Sequence, residues 1–180
     1  MDGHSLRKKN GLSSTYFTLY MVIILMTVNS NRCNADTIDQ LKTAREEYIE
    51  NFRIYGQRDV EKAKVIESRL KILEKSSEGK LLAQTLFELA TIQRITNQFE
   101  TAIGTYEHAA VAAKKNSEAD IEFEAWLGIA RSHAYGTRNH GAAAAAFERA
   151  VGIAGSTPTR KQRYEMADYS SQLQAGRGEL

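Results

Sequence analysis

Residues 89–109, LATIQRITNQFETAIGTYEHA, carry the pattern that decides the fold, and residues 127–150, LGIARSHAYGTRNHGAAAAAFERA, repeat it. Each stretch opens on Leu followed by a small residue and later has the form Ala-x3-aromatic-x2-Ala. Leu127 follows Leu89 by 38 residues, and Ala143 follows Ala102 by 41. Small residues allow two helices to approach closely, while the aromatic side chain fills the gap to the next helical pair. Self-similarity at this period is typical of stacked helical repeats.

Apolar residues outside these two stretches also recur at spacings of three and four, which favours helices throughout. The chain has one proline, Pro158, which argues against sandwiches and barrels, and no strand pattern competes. Residues 36–78 are expected to form a hairpin of two helices, separated by Gly56 and with Asp59 as the cap of the second. The apolar positions of this hairpin are Ile38, Leu41, Tyr48, Phe52, Tyr55, Val60, Ala63, Ile66, Leu70 and Leu73. The sequence therefore predicts an all-α fold.

Polar residues mark where the later helices begin and end. After a third helix that stops near Thr96, a fourth helix is predicted over 99–115. Ser117–Asp120 has the spacing of a capping box for a fifth helix, which ends in the Gly-bounded loop 136–141. A sixth helix is predicted from Ala142 to Ala154. Thr157 is the predicted N-cap of the last helix, with Pro158 in the first helical position.

The Leu-Ala and Leu-Gly pairs, each followed by Ala, aromatic and Ala, resemble the tetratricopeptide repeat family. The resemblance is best over residues 80–155, within a repeat region of 79–180 whose last unit, Tyr164–Leu180, matches only the first helix of a repeat. The period here exceeds the usual 34 residues. The resemblance implies an α–α superhelix of three to four antiparallel hairpins. It also implies recognition of a peptide or protein on the concave face, which the first helix of each hairpin lines.

The resemblance further implies a set of partner-binding side chains on the first helices. Phe87, Trp126 and Tyr169 would lie in adjacent units as an aromatic row, unless they pack between helices as core. The full predicted set, with its polar neighbours, is Phe87, Thr91, Arg94, Trp126, Ile129, His133, Asp168, Tyr169 and Gln172. A clamp for two carboxylates, as in family members that bind chaperone tails, would want Lys, Asn and Arg at these places. The sequence has Phe87, Thr91 and Trp126 instead, which speaks against that ligand.

The first 35 residues have the order of a secretory signal peptide. A basic start at Arg7–Lys9 is followed by an apolar run, Tyr16–Val28, and by a polar stretch that ends at Ala35. The apolar run would span only about 20 Å as a helix, short of the roughly 30 Å of a bilayer core. A cleaved leader and a periplasmic or secreted protein are therefore expected, and the alternative is a membrane anchor formed by an uncleaved leader.

Removal of that leader changes the charge and the cysteine count. The whole chain has 24 basic and 22 acidic residues, and the leader takes four of the former and one of the latter. The remainder carries 20 and 21, so its net charge is −1 and nucleic acid is not an expected partner. Cys33, the single cysteine, would leave with the leader, so no disulfide framework is expected.

No motif for catalysis, a cofactor or a metal rises above background. His108, His133 and His140 have neither a cysteine nor a metal-binding spacing beside them, so satisfied or solvated histidines are expected. The carboxylates of residues 46–50 and 118–124 accompany arginines on amphipathic helices, which is typical of a solvated face. We expect a protein that is not an enzyme and that needs no cofactor.

Taken together, these features predict an exported scaffold that holds a protein or peptide partner. The alternative is the N-terminal recognition part of a larger enzyme or receptor, because the chain stops in the middle of a repeat. The last helix lacks a following helix to cover its apolar side, which includes Tyr164 and Leu173. Self-association through that helix is therefore also expected.

Overall fold

The computed structural model describes residues 36–50 and 60–177, with side chains up to Gln172. Within these ranges it is all-helical, as the sequence predicts. The leader and residues 51–59, which include the end of the predicted first helix, Gly56 and the predicted cap Asp59, lie outside the described residues. The helices are α1 (36–50), α2 (Val60–Ser76), α3 (Gly79–Ile95), α4 (Phe99–Lys115), α5 (Ala119–Ser132), α6 (His140–Ala154) and α7 (Arg160–Arg177), with a π-helical turn at His133–Thr137. No helix among them is long and apolar enough to cross a membrane.

Neighbouring helices pack on each other in chain order. Contacts join α2 to α3, α3 to α4, α4 to α5 and α5 to α6, and α3 also contacts α5. Connections of two or three residues between α2 and α5 make successive helices run antiparallel. Two apolar clusters result, and α3 contributes to both of them. Leu89 and Ile92 belong to a cluster with α1 and α2, whereas Leu86 and Ala90 belong to a cluster that runs to α7.

The repeated small and aromatic residues form the contacts between helices. Ala102, Ala109, Ala143 and Ala150 are all buried, as the repeat pattern predicts. A Cβ on Gly128 would lie 2.5 Å from Tyr106 Cζ, so a larger residue there would force the Tyr106 ring or the helices to shift. Glycine is therefore favoured at this position by packing.

The predicted capping box at Ser117 is wrong, because Ser117 ends α4 and does not begin α5. Its φ of 59° lies in the left-handed region, one residue past the C-cap Asn116. The amide of Ser117 donates to Lys114 O, and the amide of Glu118 donates to Ala113 O at 2.9 Å. This is the hydrogen-bond pattern of a Schellman motif, which satisfies the last carbonyls of a helix.

The predicted cap of the last helix is also misplaced, by two residues. Thr159 Oγ1 accepts from the Gln162 amide at 3.2 Å, and Gln162 Oε1 accepts from the Thr159 amide at 2.9 Å. This reciprocal pair is a capping box, so α7 begins at Arg160 and Pro158 lies before it. The sixth helix likewise starts at His140, earlier than predicted, because Asn139 Oδ1 accepts from the Ala142 amide.

Candidate partner-binding groove

A groove of about 330 Å³ lies over one face of the four odd-numbered helices. Its floor includes Phe87 and Gln84 of α3, and its walls come from α1 on one side and from α5 and α7 on the other. Its lining residues are Ile38, Asp39, Lys42, Arg45, Glu46, Gln84, Phe87, Glu88, Asp120, Ile121, Glu124 and Lys161. A second cavity, of about 170 Å³, shares Arg45, Phe87 and Glu124 with it and continues it along α3 and α5. We call the two together the groove.

The floor of the groove is held by a chain of hydrogen bonds that ends on Tyr106 of α4. Thr91 Oγ1 donates to the carbonyl of Phe87 at 2.9 Å, so the Tyr106 hydroxyl is left to donate to Thr91 Oγ1 at 2.9 Å. The Tyr106 oxygen in turn accepts from Arg94 Nε at 3.4 Å. The Phe87 ring lies 5.9 Å from the Tyr106 ring, in a tilted arrangement. Tyr106, the aromatic residue of the stretch 89–109, therefore supports the floor of the groove.

A buried ion pair joins α1 to α3 at one wall. Arg45 Nε lies 2.6 Å from Glu88 Oε2, and the exposed fractions of the two side chains are 14% and 7%. Neither atom has a well-oriented hydrogen-bond partner among the described residues. Burial raises the pKa of Glu88, and the nearby cations Arg45 and Lys42 act against that rise. The charge of Glu88 is therefore costly to keep, and it is offset by the cations of α1.

Ion pairs and hydrogen bonds join α5 to α7 at the opposite wall. Lys161 pairs with Glu124, and its pKa is raised by this hydrogen bond. Arg131 Nη2 lies 2.8 Å from Glu165 Oε2 and 3.2 Å from Asp168 Oδ2. The groove thus offers a partly apolar floor between walls of mixed charge, which suits a polypeptide better than an ion of one sign.

Arg94 differs from the other basic residues of the groove. Among the described residues it makes no ion pair, and its recorded bond is the one to Tyr106. Its remaining N–H donors are therefore available for a bound chain.

Three of the predicted site residues lie together in the groove: Phe87, Thr91 and Arg94. Thr91 is buried, so its contribution is to hold the floor. Ile129 is buried in the apolar core. His133 lies in the π-helical turn, where its Nδ1 is 3.0 Å from Thr137 Oγ1.

The three aromatic rings do not form a row, and Tyr169 follows the stated alternative, in which it packs between helices as core. Tyr169 has no exposed surface and packs on Phe147 with ring centroids 4.8 Å apart. Tyr169 follows Phe147 by 22 residues, as Gly128 follows Tyr106, so it holds the position that packs between helices.

Trp126 lies on the far side of α5 from the groove. It follows Phe87 by 39 residues, whereas the groove residues Glu124 and Gly128 follow Phe87 and Thr91 by 37, and two residues turn a helix by about 200°. Trp126 lines a different cavity, with residues of α4 and α6.

Sequence reasoning missed the charged walls of the groove. On its own helix, each charged residue of these walls looks in sequence like part of an ordinary solvated face. These residues are Arg45, Glu88, Glu124, Arg131 and Lys161. Glu88 next to Leu89 was the available signal, because a carboxylate beside a core leucine needs a partner if it is buried.

In residues 36–50 and 60–177, no three His, Cys, Asp or Glu side chains are grouped so that they could hold a metal ion. Comparison with protein-family models, with curated proteins and with solved structures finds no match to this chain.

Proposed function

We propose that this protein is an exported scaffold of the tetratricopeptide-repeat type, a helical solenoid that binds a protein or peptide partner in the groove. The observation that carries the proposal is the groove itself, which runs over the face shared by α1, α3, α5 and α7. The family's usual binding surface is the one lined by the first helix of each hairpin. Here α3 and α5 are those helices in the two repeated units, and both line the groove.

The chemistry of the groove supports a polypeptide as the ligand. Phe87 gives an apolar contact, and Arg94 gives donors for a carboxylate or a backbone carbonyl. Charged side chains of both signs along the walls can bind the polar side chains that a polypeptide carries along its length. Export follows from the leader over residues 1–35, and a membrane association would come only from that leader if it is uncleaved.

The test uses a substitution that fills the groove without touching the core. Gln84 lies on the floor and is only partly buried, so Gln84→Arg places a long side chain where the partner would lie. The matched control is Gln40→Arg, because Gln40 is exposed on the other face of α1 and does not line the groove. A partner identified by cross-linking in the native envelope is titrated against the purified variants by calorimetry.

We expect Gln84→Arg to weaken binding about tenfold or more, and Gln40→Arg to leave it unchanged. Both variants should keep the helical circular dichroism of the unsubstituted protein. Equal affinity of the two variants for the partner would show that the groove is not the binding surface.

A further inference from the structure

A cavity separate from the groove lies between α4 and α6, on the side of α5 that faces away from the groove. Its volume is about 440 Å³, and it shares no lining residue with the groove. Trp126 and Glu122 of α5 lie beneath it. Trp126 is two residues from Glu124, which turns it about 200° around the helix, so the two cavities lie on roughly opposite faces. We call this cavity the slot.

Small residues leave the slot open and its walls apolar. Ala110 of α4 and Gly152 of α6 line it, and a Cβ built on Gly152 would meet nothing within 4 Å. Val111 is 69% exposed at the rim, and Ile153 lines the opposite wall. An apolar side chain of another molecule can therefore enter between the helices without displacing any side chain at Gly152.

The rim of the slot is positively charged. Arg149 lies over the Trp126 ring, with Cζ 4.5 Å from the ring centroid. Lys114 is the other cation, and Glu122 is the single carboxylate among the lining residues. Among the described residues neither Arg149 nor Lys114 makes an ion pair. A guanidinium stacked on a ring keeps its N–H edge free for two hydrogen bonds to a carboxylate.

We propose that the slot is a second binding site, which takes a protein segment with an aliphatic or aromatic side chain next to an Asp or Glu. The apolar side chain lies on Trp126 between Ala110 and Gly152, and the adjacent carboxylate pairs with Arg149 and Lys114. The occupant follows from charge complementarity, because an excess of cations surrounds an apolar floor. The slot is independent of the groove, so the protein would hold two segments on opposite sides of one helix.

The experiment uses the full chain and three matched sets of short synthetic peptides on an array. The first set places Leu, Ile or Phe beside Asp or Glu. The second replaces each acid by its amide, and the third replaces it by Lys. Peptides that bind are then titrated in solution against the fluorescence of Trp126, the only tryptophan of the chain. None of the peptides contains tryptophan.

Two glycines provide a blocking variant and its control. Gly152→Leu fills the slot, whereas Gly104→Leu makes the same change on α4 at a place where a Cβ also meets nothing within 4 Å and which does not line the slot. Arg149→Gln removes the cation and, because Arg149 is exposed, does not disturb the core. Helical circular dichroism checks that all three variants are folded.

We expect the acidic set to bind about tenfold more tightly than the amide set, as a charge-assisted hydrogen bond requires, and to change Trp126 fluorescence. Gly104→Leu should bind like the unsubstituted protein, Gly152→Leu should lose binding, and Arg149→Gln should lose the preference for acids. The proposal is overturned if the acidic and amide sets bind equally, or if no acidic peptide distinguishes Gly152→Leu from Gly104→Leu. The Gln84→Arg variant should bind these peptides normally, which separates the slot from the groove.

Discussion

The junction between α4 and α5 and the junction between α6 and α7 join residues at the same spacing along the chain but are packed differently. At the first, the Tyr106 ring lies directly on Gly128, so close that a Cβ there would clash. At the second, Phe147 meets Tyr169, and two rings with centroids 4.8 Å apart fill the space between the helices. The spacing of 22 residues is the same in both pairs.

The difference shows that one spacing along the chain can give either a close or a spaced contact between helices, depending on a single residue. Beside the glycine, two helices are joined by apolar packing with buried alanines around it. Beside Tyr169, α7 is additionally held by polar side chains that reach across to α5. These contacts are Arg131 with Glu165 and Asp168, Lys161 with Glu124, and Gln162 with Asp120. Such partly exposed ion pairs stabilise the fold less than buried aromatic rings do.

The largest effect is expected from removing the Tyr106 ring at the junction between α4 and α5. Tyr106→Ala should lower the free energy of unfolding by about 3–5 kcal/mol, because it leaves a cavity against Gly128 and breaks the bond to Thr91. Phe147→Ala should lower it by about 2 kcal/mol, because Phe147 is only partly buried. Urea denaturation of the two variants measures this. Equal losses would mean that the two junctions are energetically alike.

A smaller effect is expected from adding one carbon at the glycine. Gly128→Ala should cost about 1–3 kcal/mol through overpacking against the Tyr106 ring. Gly104→Ala, on a helix with open space around it, should be neutral or stabilising by up to about 1 kcal/mol. In the Tyr106→Ala background the cost of Gly128→Ala should vanish, since the clash is gone. A cost that persists in the double variant would place the strain somewhere other than this ring.

The smallest effect is expected from the polar contacts that join α7 to α5. Arg131→Gln should cost about 0.5–1 kcal/mol, because its ion pairs with Glu165 and Asp168 are partly exposed. The loss should be seen as faster hydrogen exchange in α7, while exchange in α3 and α4 stays unchanged. Arg160→Gln is the control on α7, since Arg160 makes no ion pair among the described residues. Faster exchange in α7 in both variants would contradict this role for Arg131.

The sequence could predict the part of the site that depends only on residue spacing along a single helix. Phe87, Thr91 and Arg94 follow one another at three- and four-residue spacings on α3, and a single helix face holds them. The aromatic row failed for a geometric reason, since an error of two residues in register turned Trp126 to the opposite side of α5. The pairs across the charged walls could not be predicted, because the position of Glu88 beside the core Leu89 does not say which residue of another helix its carboxylate would meet.

The sequence by itself determined the helices and the small-residue contacts that bring them together. Helical periodicity and the spacing of Ala102, Tyr106 and Ala109 depend on neighbours along the chain, so they can be read without knowing the fold. Only the tertiary structure decided which side of α5 faces the groove. It also decided that Tyr169 would be buried and that Arg149 would lie over Trp126. Those outcomes depend on side chains distant in sequence that meet only after the helices pack.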